Sequence, residues 1–372
     1  MRIMIITNSF MREIVELLRI AAAQGWPYEL TVVMPDNQPS PALPPNVTLL
    51  RRALFFGQHI RAACFSPRLL FDIRRIRPDI LHIFEEYSGF IAWQTAMFRN
   101  ICSPRSRVMV YSAENISGNV SRAFRPAMRC VSRHADLAFV CSESVRDTLQ
   151  IEGFRKPIEV IPLGVNTDIF QKTPQPTLKS QLGLDGKFVL GYEGRLLDIK
   201  GIFLLLDLLR QLPESAHLLM VGGGADEARF RQKAERAGVM GRVHLVGNVA
   251  YERLPDYLNC MDVGVVPSLT TPRWKEQFGR AIIEFMSCEA PVIGSDSGSI
   301  PEIIAQAGWM FKEANLADLR ETVLRVMANP EQRKQAGKIG RERVLARYSV
   351  EVMCQKFFAL YGECSAECGI MT

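Results

Sequence analysis

Short apolar runs separated by longer amphipathic or polar segments recur along the whole chain. The runs MRIMIIT, YELTVVM, DILHIF, RVMVY, DLAFVC and IEVIPL read as strands, and stretches such as MREIVELLRIAAAQG and SESVRDTLQIEG between them read as helices. A polar, Pro-containing stretch, FQKTPQPTLKSQLGLDG, interrupts the series, which then resumes with KFVLGYEG, AHLLMVGG, RVHLVG, VGVVPS and APVIGS. Short apolar strands separated by helices predict parallel sheets with crossover helices, and two such series predict two doubly wound α/β domains. The division is expected near Gly164 to Pro174, giving an N-terminal domain over 1–170 and a C-terminal domain over 171–349. A last helix, from about Val350 to Leu360, follows the second series, and the segment 350–372 is expected to pack back on the first domain. In such folds the default binding site is the crevice outside the carboxyl ends of the strands, here between the two domains.

Length and composition narrow this further. A chain of 372 residues suits two cores better than one. With 48% hydrophobic and 23% charged residues, and no apolar run long enough to span a bilayer, the composition is that of a soluble globular protein. The start, MRIMIITNSF, lacks a small-residue cleavage site and reads as a first strand, not a signal peptide. Nine scattered cysteines, an odd number, argue against a disulfide framework and for a reducing cytoplasm. Cys364 and Cys368 form a CxxxC pair without the further ligands that structural zinc requires, so no metal site is expected there.

The net charge of +6 is concentrated in the first 170 positions, where 20 basic residues, all but Lys156 arginine, stand against 15 acidic. This excess serves solubility or attracts an anion, such as a phosphate-bearing acceptor or a lipid surface. The arginines are dispersed and no nucleic-acid motif accompanies them, so no nucleic-acid partner is expected. RRALFFGQHIRAACFSPRLLFDIRRIR, residues 51 to 77, mixes aromatics with arginine, as an interfacial helix pair would. A core-facing amphipathic helix with a solvated basic side explains the same pattern.

The second half supplies groups suited to a diphosphate. Gly191-Tyr192-Glu193-Gly194-Arg195 follows a strand, and Lys200-Gly201 opens the helix IFLLLDLLRQL. Two cations just beyond a strand end can neutralise two phosphates while glycine lets the backbone approach, although Arg195 and Lys200 as solvated loop charges fit equally well. VGGGADE, from Val221, begins like a dinucleotide fingerprint but has Glu227 where the third glycine belongs, and no P-loop occurs. In WKEQFGRAIIE a helix is expected to begin near Phe278, with its free N–H groups facing the crevice. Glu276 precedes that helix and Glu284 lies within it. At ~1.5 Å rise per residue they would stand about 10 Å apart, roughly the span from a hexose across a diphosphate to a ribose.

Five blocks in order carry a family resemblance. EQFGRAIIEFMSCEAPVIGSDSGSIPEII, residues 276 to 304, resembles the signature of the family 4 glycosyltransferases, retaining enzymes of the GT-B class: a glutamate, seven residues, a second glutamate, then an apolar strand and a Gly-containing loop. IPLGVNTDIF at 161 to 170, GYEGRLLDIKG at 191 to 201, LLMVGGG at 218 to 224 and VHLVGNVAYERLPDYLNCMDVGVVPS at 243 to 268 resemble its other segments. The resemblance implies two Rossmann-like doubly wound α/β domains facing a central cleft, the C-terminal one binding the donor. It further implies that Arg195 and Lys200 bind the donor diphosphate, Glu284 the ribose hydroxyls, and Glu276 the sugar near its reacting carbon. Gly194, Phe278 and Gly279 would offer backbone to phosphate and sugar, and Asn248 and Val249 would frame the base. The implied reaction moves a hexose from a UDP-, GDP- or other nucleotide-diphosphate sugar to a hydroxyl acceptor with retention, without cofactor or metal, because the basic pair and the helix end do a divalent ion's work. Many relatives build surface polysaccharide or glycolipid on lipid carriers. A saccharide or lipid-linked acceptor is therefore expected, with a cytoplasmic enzyme that is peripheral at the inner face of the cell membrane when the acceptor is lipid-linked.

The first half departs from the family pattern. NSFMREIVELL passes from strand to helix without the usual Gly-Gly loop, which would shift its contacts to Asn8 and Ser9. RVMVYSAENISG has Glu114 where relatives carry a histidine that touches the donor sugar; Glu114 either takes over that contact or caps the next helix. His82, Glu85 and Glu86, in DILHIFEEYSG, are further acceptor-side candidates. Two other readings stay open: a sugar-nucleotide epimerase or hydrolase, and a degenerate transferase that binds nucleotide sugar without turnover.

Overall fold

The computed structural model describes residues 1–9, 12–39, 43–59 and 61–367. Phe10 and Met11 of the NSFM turn, Cys368 of the CxxxC pair and the end of the 350–372 segment lie outside the described residues. The chain forms two compact units, one comprising Met1–Gly164 with the C-terminal helix and the other Val165–Ser349.

The first unit is built on β1 (Arg2–Ile6), β2 (Glu29–Pro35), β3 (Val47–Arg52), a small antiparallel pair β4 (Leu54–Phe55) and β5 (Cys64–Phe65), then β6 (Ile80–Glu86), β7 (Arg107–Ser112), β8 (Leu137–Val140) and β9 (Ile158–Val160). The main sheet is parallel throughout, in the order β3-β2-β1-β6-β7-β8-β9. Sequence neighbours spread in opposite directions from β1 and β6, so the topological switch point falls between those two strands, beside Thr7 and Glu85. β3 was not expected. It is an edge strand, VTLLRR, whose threonine and arginines break the apolar continuity that marks inner strands.

The segment 51–77 does not form a helix pair. Arg51 and Arg52 end β3, β4 and β5 pair with each other, and among the described residues of the segment only Arg68–Ile76 is helical. Arg52 donates Nε and Nη2 hydrogen bonds of 2.6 Å each to Asp72 in that helix, fixing it against the sheet edge.

The C-terminal helix Val350–Glu367 packs Met353, Phe357 and Tyr361 into the same core as Ile3, Ile5, Leu17 and Phe139. At roughly 1.5–3 kcal/mol per fully buried large apolar side chain, these three residues make the helix part of the first unit's core despite its late place in the chain. They also account for His82, the third residue of β6, which is fully buried among Phe84, Phe139 and Phe357. Its Nδ1 lies 2.5 Å from the Tyr361 hydroxyl, and burial pushes the imidazole down to about 3, so it is neutral. His82 is therefore a core residue and not an acceptor-side group.

The second unit contains β10 (Phe188–Glu193), β11 (Ala216–Val221), β12 (Val243–Gly247), β13 (Val263–Val266), β14 (Val292–Ser295) and β15 (Gly308–Phe311), all parallel, in the order β12-β11-β10-β13-β14-β15. β15 was also unexpected; GWMF is too short to show a period. The switch point here lies between β10 and β13. Residues 165–170, expected in the first domain, belong to this unit because Arg341 holds them: Nη1 donates to Phe170 O at 2.6 Å and Nη2 to Thr167 O at 3.1 Å. The polar, Pro-containing stretch between the two series is folded in as well, with a helix over Pro176–Gln181.

Candidate active site

At the switch point of the second unit the strand β10 ends at Glu193, and the chain turns through Gly194 and Arg195 into a short 3-10 turn, Asp198–Lys200, before the apolar helix Ile202–Leu209. Gly201 joins turn to helix at φ 71°, and a Cβ there would lie 1.9 Å from the carbonyl oxygen of Pro267, just beyond β13. Only glycine permits this approach. Leu269 N also donates to Ile199 O at 2.8 Å, so the turn after β10 is sewn to the loop after β13.

That contact delivers Lys200 to Glu276. Lys200 Nζ donates to Glu276 Oε2 at 2.7 Å, Ser268 Oγ donates to the same oxygen at 2.7 Å, and the ammonium lies 4.7 Å from the centre of the Trp274 ring. Glu276 is held at the backbone too, its carbonyl accepting from Ser299 N at 3.0 Å, while Ser299 Oγ donates to Gln277 O at 2.8 Å. Glu276 is 6% exposed, so the ion pair is preorganised in a site with little water. Ser268 and Trp274 escaped the sequence reading. Each lies within eight residues of Glu276, but nothing in the sequence reveals which way its side chain turns.

The helix that carries Glu284 spans Arg280–Ser287, two residues later than expected, with Gly279 as a left-handed N-cap at φ 79°. Residues 276–279 are thus not helical, and the 10 Å estimate from helical rise does not apply to the Glu276–Glu284 pair. The Phe278 side chain is buried near Tyr348, with ring centres 6.0 Å apart, so what this residue can offer a ligand is its backbone. Arg195 is exposed, and its carbonyl accepts from Tyr192 Oη at 2.7 Å. Asn248 and Val249 directly follow β12, with Asn248 exposed. The Gly-rich turn after β11 is a structural close approach: a Cβ on Gly222, at φ 125°, would lie 2.0 Å from Gly194 O.

Glu284 is 2% exposed and lies near Glu193, the last residue of β10. Desolvation first, and the Glu284 charge second, hold Glu193 well above the ordinary carboxyl range. The sequence reading passed over Glu193. The available signal was an acid as the last residue of an apolar strand that feeds a basic turn.

The first unit gathers several of its candidates at the ends of β1, β6 and β7. Glu85 Oε1 accepts from Asn8 N at 2.5 Å and Thr7 Oγ1 at 3.1 Å, while Thr7 Oγ1 also contacts Ser9 O at 2.5 Å. Glu86 accepts from Ala113 N at 2.7 Å and Ser112 Oγ at 3.1 Å. Glu114 pairs with Arg61 Nη2 at 2.7 Å and accepts from Asn119 Nδ2 at 2.8 Å and Ile116 N at 3.1 Å, so it caps a turn and not a helix. Asn8, Ser9, Glu85, Glu86 and Glu114 are thus placed near strand ends; His82 is not.

Burial pushes Glu85 and Glu86 each up to about 7. A carboxyl raised in the folded state favours folding most below its unfolded value and loses that advantage as pH rises through the folded value. Glu85→Gln keeps the side-chain oxygen that accepts from Asn8 and Thr7 but removes the titration. It is expected to be on the order of 2 to 3 kcal/mol more stable than wild type at pH 8 and no more stable at pH 4, as read by urea unfolding at the two pH values. An equal effect at both would show that Glu85 does not hold its proton in the fold.

Two doubly wound α/β units, the second with a basic pair and two buried glutamates at its switch point, define a nucleotide-sugar type of architecture, GT-B. Residues 12–169 match the family Glycosyltransferase Family 4, and residues 174–343 match Glycosyl transferases group 1. The chain belongs to the family 4 glycosyltransferases. It is similar to a GDP-mannose-dependent monoacylated alpha-(1-6)-phosphatidylinositol monomannoside mannosyltransferase of Corynebacterium glutamicum, 27% identical over 62% of this chain and 63% of the relative, so it spans less than two thirds of that protein's length. In fold it is similar to sucrose-phosphate synthase from Thermosynechococcus elongatus (TM-score 0.78, 21% identity, 98% and 99% of the two chains). It is also similar to Anabaena HepE, solved in complex with UDP and glucose (TM-score 0.77, 18% identity, 98% and 100% of the two chains).

Proposed function

We propose that the protein is a retaining hexosyltransferase that takes its sugar from a nucleotide-diphosphate donor and passes it to a hydroxyl acceptor in glycolipid or surface polysaccharide synthesis. The observation that carries this reading is the Lys200–Glu276–Ser268 cluster, with Gly201 at its base, at the switch point where doubly wound sheets bind ligands. In this reading Arg195 and Lys200 neutralise the donor diphosphate, and the backbone at Gly194, Phe278 and Gly279 approaches phosphate and sugar. Glu284 accepts from the ribose hydroxyls, Asn248 and Val249 frame the base, and Glu276 holds the hexose at its reacting carbon. As the bond from the anomeric carbon to the diphosphate oxygen breaks, positive charge builds on the sugar and negative charge on the leaving group; Glu276 and the basic pair stabilise the two. The acceptor hydroxyl enters from the face the diphosphate leaves, and its proton passes to the departing oxygen. The basic pair carries the diphosphate's charge, so the step calls on no metal. The Corynebacterium relative's name points to GDP-mannose and the Anabaena complex to UDP, so both bases belong in the test.

The test incubates the protein with UDP-glucose, UDP-N-acetylglucosamine and GDP-mannose and follows thermal shift and release of nucleoside diphosphate. Stabilisation by one donor, and release that rises with an added acceptor, is the expected result. Epimerised sugar without nucleotide release would overturn the transferase reading, and binding to none of the three would overturn the donor site.

The acceptor we propose is a saccharide or a lipid-linked hydroxyl compound met at a membrane surface. Phe56 and Phe71 are both 66% exposed within a segment whose Arg68, Arg74 and Arg75 are also exposed, a mixture suited to anionic lipid. Among the described residues no helix is long and apolar enough to cross a membrane. The protein is expected to float with vesicles containing phosphatidylglycerol and not with phosphatidylcholine alone, and Phe56→Ser with Phe71→Ser should weaken flotation about tenfold. Unchanged flotation of the double variant would remove this face from the membrane.

A further inference from the structure

Between the end of β13 at Val266 and Glu276 the chain makes a loop that folds on itself. Thr271-Pro272-Arg273-Trp274 is a β-turn: Trp274 N donates to Thr271 O at 3.4 Å, Thr271 N donates back to Trp274 O at 2.7 Å, and Arg273 N donates to Thr271 Oγ1 at 3.3 Å. Proline stands at the second position, where its fixed φ suits such a turn. The root of the loop is fastened from two other segments. Thr270 Oγ1 donates to Glu313 Oε2 at 2.7 Å and lies 2.9 Å from Ser297 Oγ, and Thr270 N donates to the other Glu313 oxygen. With Leu269 N already bonded to Ile199 O, the loop sets the half-buried indole of Trp274 under the Lys200 ammonium, 4.7 Å from the ring centre.

Two partners of different kinds therefore hold one cation. Glu276 holds the Lys200 ammonium by cancelling its charge. An aromatic face holds it through the ring quadrupole and leaves its net charge and N–H donors for an incoming anion. Lysine has a flexible four-carbon stem, so an ammonium drawn toward a phosphate needs a second anchor to keep its place.

We propose that Trp274 is a positioning residue of the donor site: its indole face keeps the Lys200 ammonium in place as the charge of Lys200 comes to be shared between Glu276 and the donor diphosphate. The proposal rests on the donor-site reading above. The role belongs to the ring, and it acts through Lys200 without requiring contact between Trp274 and the donor.

UDP-glucose and GDP-mannose are titrated calorimetrically into the full chain. Trp274→Leu, apolar but without a ring, is expected to bind the donor that wild type binds about tenfold more weakly. Trp274→Phe restores a ring face and should recover to within about threefold of wild type. Lys200→Ala should be weaker than either, and adding Trp274→Leu to it should change affinity by less than about twofold, because nothing is left for the ring to hold. Biosynthetic replacement of tryptophan by its mono-, di- and trifluorinated forms drains the ring quadrupole at nearly constant shape. Affinity should fall stepwise along that series in wild type and stay flat in Trp274→Phe, which retains Trp26, Trp93 and Trp309. Wild-type affinity in Trp274→Leu, or a fully additive loss in the double variant, would overturn the proposal and leave the donor site standing. Should Trp274→Leu fail to fold, the fluorinated series decides alone, and constant affinity along it overturns the proposal. Wild type that binds neither nucleotide sugar would instead overturn the donor-site reading, and this proposal with it.

Discussion

Glu276→Ala is expected to lower turnover of a saturating nucleotide sugar by about 30- to 1,000-fold, equivalent to ~2 to 4 kcal/mol of transition-state stabilisation. The reason is preorganisation. Glu276 is held at its side chain by Lys200 and Ser268 and at its backbone by Ser299, so its charge needs no rearrangement when the sugar turns cationic. Alanine leaves Lys200 without this partner in a site of restricted water, so the diphosphate end also loses a fixed geometry. Glu276→Gln separates the two effects: it keeps an oxygen for Ser268 and Lys200 but removes the charge. If charge is what acts, the Gln variant is nearly as slow as the Ala variant while its donor affinity stays close to wild type. Steady-state kinetics with whichever of the three nucleotide sugars stabilises the protein measures both constants, and wild-type turnover by Glu276→Ala would remove this residue from the site.

Gly201→Ala is expected to cost about 2 to 5 kcal/mol of stability in the second unit and to abolish donor binding. Two terms add. Alanine in the left-handed region costs ~1–2 kcal/mol. Its Cβ, 1.9 Å from Pro267 O, forces the turn away from the strand end, and overpacking of this kind costs ~1–3 kcal/mol. The opposing atom is a backbone carbonyl at the end of an inner strand, which has no rotamer to retreat into. Because Lys200 is the neighbouring residue, the shift also carries its ammonium off Glu276. Denaturant unfolding and a donor thermal shift read the two consequences, and a variant with wild-type stability would show that turn and strand end part freely.

The legible part of the sequence was what repeats or clusters locally. Inner strands appear as apolar runs because parallel strands are covered on both faces, and the spacing of Glu276 and Glu284, with Gly279 between, marks a helix entrance. The edge strand β3 was missed for the converse reason. β3 faces solvent along one side and tolerates Arg51 and Arg52, so its pattern is no longer that of a strand. His82 misled because a histidine near a strand end looks chemical. Its neutrality depends on Phe357 and Tyr361, which arrive from the C-terminal helix, Tyr361 279 positions further on. Of the two readings of 51–77, the helix pair is not what forms, because a charge-aromatic mixture does not encode a period and Arg52 found Asp72 across a strand–helix contact; the helix Arg68–Ile76, with Leu69 and Ile73 buried and Arg74 and Arg75 exposed, follows the amphipathic alternative.

By itself, the chain's order of apolar runs determined two doubly wound units, and its five ordered blocks determined the family; both are properties of short segments whose meaning survives without knowing their neighbours. Only the tertiary structure decided which groups act together. Lys200 meets a carboxylate 76 residues away, and Ser268 of a further loop donates to the same oxygen. Such pairs form where separate strands end side by side, and a linear pattern does not encode that adjacency. The upward shift of the Glu85 and Glu193 carboxyls follows from burial, which is set when the sheet and its helices close around them and not before.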